Sequence, residues 1–149
     1  MAKFKAELPN DLIKVFDELE TNSSIMMGEM CKAGAKVVYD KVVSNMKKAF
    51  DPSRVDSLLK GLKVTKVYET QSDDGINVHI GFYGYDGVPT KQYPQGTPIP
   101  LKAMAREYGT HGGEWEQKKP FLRPSFNKKD IEQAMMEVQN QYIKGDGNE

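Results

Sequence analysis

Cysteine, histidine and tryptophan are almost missing from this chain of 149 residues, which has one Cys, two His and one Trp. A single cysteine, Cys31, excludes an internal disulfide. Its neighbours Met30, Ala33 and Gly34 follow a helical pattern, which suits a small buried apolar group better than a reactive thiol. His79 and His111 stand apart, and neither has a second His or Cys at metal-ligand spacing, so neither a metal nor another cofactor is implied. His111 and Glu114 would offer two ligands from a loop, where a structural site takes about four. Net charge is missing as well: Lys+Arg and Asp+Glu are both 21, which argues against a dedicated nucleic-acid binder, since those carry a basic excess. No apolar run is long enough to span a bilayer, and the N-terminus has no signal-peptide pattern. The chain is therefore expected to be kept in a reducing, aqueous compartment. Neither a Gly-x-Ser-x-Gly elbow nor a Gly-rich phosphate loop occurs.

What is present is ordinary globular material. The chain is 38% hydrophobic and 28% charged, which suits a single domain, here placed at 1–144 with a disordered tail at 145–149. Lys3 to Leu8 alternates as a short strand would. Leu12, Phe16 and Leu19 recur at helical spacing, and the cap-type residues Thr21, Asn22 and Ser23 then interrupt the pattern. A long helix is predicted from about Ser24 to Ala49, roughly 40 Å in length. Its methionine stripe through Met26 and Met30 reads as core filling in preference to an adaptable binding surface. Lysines concentrate between Lys32 and Lys48, a pattern that usually marks a solvated face.

Asp51-Pro52 ends that helix. The run Leu62–Tyr68, a turn at Ser72–Gly75 and the strictly alternating Ile76–Phe82 form the clearest hairpin, with His79 on its solvent side. Tyr85–Pro100 holds four prolines and two glycines and has no period, so it is expected to be a functional or mobile loop. Asn127 caps a final helix whose buried face is Ile131, Met135, Val138 and Tyr142. The expected fold class is α+β: a small antiparallel sheet, centred on this hairpin, packs against the long helix and the C-terminal helix.

The stretch Leu101–Phe126 carries the most information. A short amphipathic helix stops at Tyr108 because Gly109 follows. A polar loop then leads to an extended apolar segment bracketed by Pro120 and Pro124, whose rings restrict the backbone. The two boxes, Arg106-Glu107-Tyr108-Gly109-Thr110 and Pro120-Phe121-Leu122-Arg123-Pro124, are similar in order and spacing to those of the small neck and tail-component proteins of lambdoid long-tailed bacteriophages, the head–tail joining and tail-completion family. The likeness extends over most of the chain. The family's Thr-Gly-x-Leu-x-x-Ser-Leu segment falls on Val55–Leu62, with Val55-Asp56 in place of Thr-Gly and Gly61 in place of Ser, while its leucines are kept.

The resemblance implies a structural virion protein of the neck or tail that is made in the host cytoplasm. It implies a homo-oligomeric ring, a hexamer, around a channel through which DNA passes without sequence-specific contact. The implied partners are the head-closure ring, the tail terminator or the tail-tube protein, with no membrane and no catalysis. Residues of both boxes, together with Trp115, are then structural or interface positions. Trp115 lies in the loop, where an aromatic suits a protein contact. Glu107 is expected to pair with Arg123, or Arg123 with the last carbonyls of the preceding helix. Two alternatives remain: a tail terminator that caps the tube, and a small enzyme or toxin with a site near Glu107, Tyr108, His111 and Arg123.

Overall fold

The structure, a computed structural model, describes residues 10–72, 75–110 and 118–145. It is α+β. Helix α1 (Asn10–Ala49) leads to α2 (Pro52–Leu59), followed by four short strands, β1 (Leu62–Val64), β2 (Tyr68–Thr70), β3 (Gly75–Asn77) and β4 (Ile80–Phe82). Helix α3 (Ile99–Tyr108), a 3-10 turn (Arg123–Ser125) and α4 (Lys128–Gly145) complete the order. The expected strand at Lys3–Leu8 lies outside the described residues, as do 146–149 of the expected tail; Gly145 itself closes α4.

The first helix differs from expectation. It is continuous for 40 residues, about 60 Å, and does not break at Thr21–Ser23. Thr21 sits within the helix with its hydroxyl donated to the Asp17 carbonyl one turn back, at 2.8 Å, and so does not act as a cap. Cap-type side chains favour helix ends only when the chain turns there, and a hydroxyl that bonds back along the helix removes the competition.

The hairpin is present, in two short ladders. Leu62 faces Phe82 and Tyr68 faces Asn77, so residues 63–67 oppose 78–81, which are one fewer. The extra residue is a bulge in the first strand. Thr65 seals it, donating its N–H to the His79 carbonyl and accepting the His79 N–H on its hydroxyl, both at 2.8 Å. The second strand keeps its alternation through the bulge. Ile76, Val78 and Ile80 line one apolar surface with Cys31, Gly34 and Ala35 of α1, while His79 is exposed and hydrogen-bonds Tyr68.

The core gathers around the C-terminal half of α1: Val38, Val42 and Met46 meet Val55 and Leu58 of α2, Leu62 of β1, Ile99 and Ala103 of α3, and Phe121. Helix α4 runs along α1 and approaches closely at Gly34, where an added Cβ would stand 3.1 Å from Ile131 and 3.4 Å from Met135. Lys41 and Asp130 form an ion pair across the same contact. The face expected to be buried is only half covered: Ile131, Met135 and Val138 are intermediate in exposure, and Tyr142 is exposed. The methionine stripe is only half covered too: Met26 and Met30 are half-buried, and the fully buried methionine is Met46, beside the stripe.

Gly61 joins α2 to β1 at the tightest point of the core. Its carbonyl accepts the Tyr83 N–H at 2.8 Å. A Cβ at Gly61 would lie 2.5 Å from the Tyr83 carbonyl oxygen and 2.7 Å from Ile99 Cγ2, so a serine does not fit at this position. Replacing Gly61 with Ala should destabilise the fold by about 2 kcal/mol through overpacking, read as a lower melting temperature. An unchanged melting temperature would show that α2 and α3 do not approach this closely.

Candidate functional site: the Glu107 clasp

Proline has no amide hydrogen, so the segment from Pro120 to Pro124 presents only three N–H groups, those of Phe121, Leu122 and Arg123. All three are bound by one side chain. Glu107 Oε2 accepts from Phe121 at 2.8 Å and from Leu122 at 2.9 Å, and Oε1 accepts from Arg123 at 3.1 Å. The amides that open a helical turn have no partner inside it, and here a carboxylate from α3 supplies one for the 3-10 turn that follows. Helix α3 ends where expected: Gly109 takes a positive φ of 79° and donates its N–H to the Ala105 carbonyl at 2.8 Å. That stop leaves Glu107 in the last turn of the helix, one residue from its end, with its carboxylate on the box. The Lys119 N–H bonds the Arg106 carbonyl at 2.9 Å and adds a backbone tie beside the clasp.

The opposite side of the box is held by α1. Asn45 Nδ2 donates to the Ser125 hydroxyl at 3.0 Å and to the Phe121 carbonyl at 3.3 Å, and the Ser125 hydroxyl donates to the same carbonyl at 2.6 Å. Ser125 and Phe121 are fully buried. The Phe121 ring meets Phe50 and Phe82 edge-on, with centroids 5.5 and 6.0 Å apart. One segment of five residues therefore locks the two helices and the sheet together. The buried Arg106 guanidinium stacks over Phe50, 5.5 Å from its centroid.

The expected ion pair between Glu107 and Arg123 does not form. Glu107 is only 4% exposed and its oxygens are taken by backbone donors, while Arg123 is exposed and lays its guanidinium over Tyr108, 5.3 Å from the ring centroid. Three fixed amides satisfy a buried carboxylate better than one long, solvated side chain does. Burial pushes the Glu107 carboxyl up and is the largest single influence. The three N–H bonds from Leu122, Phe121 and Arg123, helped by the Arg123 charge, outweigh it and hold the group below its ordinary range. Of the other candidate residues, Tyr108 is 55% exposed, Gly109 and Thr110 are half-buried, Leu122 is half-buried, and Pro120 and Pro124 are exposed. His111 and Trp115 lie outside the described residues.

The Tyr85–Pro100 loop has an organiser that its composition does not reveal. Asp86 Oδ1 accepts the N–H groups of Thr97 at 2.8 Å and Val88 at 3.0 Å, and Oδ2 pairs with Lys102 of α3. The Lys102 hydrogen bond is the main reason that the Asp86 carboxyl is held below its ordinary range. Gly96, with φ of 101°, passes so close that a Cβ would sit 2.6 Å from that carboxylate. An aperiodic loop is thus closed at its neck by an aspartate, with Tyr83, Tyr85 and Val88 turned outward.

Three members of this arrangement were not candidates from sequence: Asn45, Ser125 and Asp86. Asn45 carries the clearest signal, being the one polar residue on the apolar stripe that runs through Val38, Val42 and Met46. Among the described residues no three His, Cys, Asp or Glu side chains converge as metal ligands, and no helix is long and apolar enough to cross a membrane. The chain has no match among protein-family models, curated proteins or solved structures.

Replacing Glu107 with Ala leaves three amides without their acceptor and should cost about 3 kcal/mol. Glu107→Gln should fall between, because its amide nitrogen turns a donor toward donors. Arg123→Ala, by contrast, removes an exposed contact and should cost under about 1 kcal/mol. Denaturant titrations of the three variants check this ranking, and equal losses would contradict the clasp. The pH dependence follows from the two depressed carboxyls. Each is more acidic folded than unfolded, so its contribution is complete above the unfolded pKa, about 4. That contribution fades as pH falls further, through the folded pKa, because protonation then favours the unfolded chain. Stability should drop below about pH 4, and Glu107→Gln should flatten the drop in a melting series from pH 7 to pH 3.

Proposed function

We propose that this chain is a structural virion protein of the neck or tail of a long-tailed bacteriophage, of the head–tail joining or tail-completion type. It assembles as a ring around the DNA channel, next to the head-closure ring, the tail terminator or the tail-tube protein, and DNA passes without sequence-specific contact. The reading rests on the resemblance of the two boxes, and one observation carries it further. The boxes, separated in sequence by a loop, meet in a single clasp in which Glu107 of the first binds every amide hydrogen of the second. Their order and spacing thus have a common physical purpose, to hold a rigid segment at the junction of helices and sheet.

The same observation weighs against the enzyme alternative. An acid–base carboxylate needs an open approach and an unengaged oxygen, and Glu107 is buried with both oxygens bonded to backbone. Tyr108 and Arg123 stack on one another at the surface and do not converge on a cleft with it. Within the structural class, a tail terminator differs from a joining protein in its partner, the tail-tube end as opposed to the head-closure ring.

Phage particles produced with and without the chain, compared by electron cryo-microscopy and mass spectrometry, test the reading. With the chain, a ring of its copies should occupy the neck or the upper end of the tail. Without it, filled heads and tails should accumulate unjoined. Infectious, complete particles lacking the chain would overturn the proposal.

A further inference from the structure

Helix α1 carries its charges in two blocks. Residues 10–29 hold five acids and one lysine, and residues 30–49 hold five lysines and one acid. Some of these charges are neutralised within the fold: Glu29 pairs with Lys32, and Lys41 with Asp130. At the acidic end, every described side chain from 13 to 22 is exposed, including Asp17, Glu18 and Glu20 and the apolar Ile13 and Leu19. At the other end, Lys47 borders an apolar cleft of about 360 Å³ walled by Phe50, Pro52, Val55 and Leu59, with Asp56 as its one acid. Lys48, the next residue along the helix, is exposed, and Lys119 rests its ammonium near the Ala49 carbonyl. Among the described residues, Lys47 and Lys48 enter no ion pair, and neither do Asp17, Glu18 and Glu20.

An apolar, acidic arm and an apolar cleft with a basic rim complement each other. Leu19 and Phe50 are 31 residues apart on one continuous rod, about 45 Å, so a chain cannot seat its arm in its own cleft. We propose that the α1 arm of one copy docks in the α1–α2 cleft of a second copy, with Leu19 against the apolar wall and Glu18 and Glu20 beside Lys47 and Lys48. The two patches differ, so the contact is head-to-tail and repeats until a ring closes. The inference builds on the ring reading above by naming the surfaces that would form it.

Sedimentation velocity of the full chain at high micromolar concentration tests the contact. The parent should associate at low salt and dissociate as salt screens the charges. Glu18→Lys with Glu20→Lys should weaken association about tenfold or more, and so should Lys47→Glu with Lys48→Glu. The chain carrying all four reversals should associate again, because the pairing is restored with opposite sign. Circular dichroism guards against misfolding, and Leu19→Ser, which leaves every charge in place, should also weaken association by removing the apolar contact. A parent that stays monomeric at low salt, reversals without effect, or a fourfold variant that fails to recover would each overturn the contact. The particle experiment reads a different property: chain found in necks while the reversals do nothing would discard this interface and keep the virion role, and the converse result would do the opposite.

Discussion

Everything around the junction of α1, α3 and the sheet depends on one carboxylate. Glu107 is buried, which alone would disfavour its charge, yet three amide hydrogens converge on it. Each side solves the other's problem. The box flanked by prolines cannot enter a sheet ladder, because two of its five positions lack a donor and the remaining three face inward. A water-filled site would satisfy those donors but would dissolve the contact among Phe121, Phe50 and Phe82. A fixed anion satisfies them while leaving the core dry. Asn45 and Ser125 do the same for the Phe121 carbonyl, so that the segment leading into the 3-10 turn is bonded on both sides.

Much of the architecture was legible in the sequence. The α+β class, the end of α3 at Gly109, the hairpin centred on the turn before Gly75, and the inward face of Ile76, Val78 and Ile80 all follow from period and turn chemistry. The missed features share a cause. The continuity of α1 through Thr21–Ser23 depends on whether hydroxyls bond backward along the helix or forward to a cap, which composition does not decide. The bulge at 65–67 needs cross-strand pairing to be seen at all. The Glu107 carboxylate takes backbone amides where its charge suggests Arg123, because side-chain charges are visible in a sequence and available backbone amides are not. The count of prolines in the box was the overlooked clue: it states how many donors must find an acceptor.

The charge pattern of α1 adds a second level of organisation. Acids near the start of a helix and lysines near its end also complement the helix dipole. This stabilises a long helix whose described side chains from 13 to 22 are all exposed. The arm and the cleft are therefore consistent with local helix physics as well as with docking between copies.

The clasp also bears on how the chain accommodates change. Glu107 reaches only 14 to 16 residues along the sequence, whereas Asn45 reaches across 76 to 80. Closing the shorter span costs little entropy, so α3 and the box can join early and present a finished surface to α1. Gly109 and Lys119 are each fixed by backbone bonds to α3, to the Ala105 and Arg106 carbonyls, and the entropy of joining two fixed points grows slowly with the length between them, by about 0.6 kcal/mol per doubling. None of the clasp's bonds depends on the number of residues between the two boxes, so a change of length there leaves the junction its full set of partners.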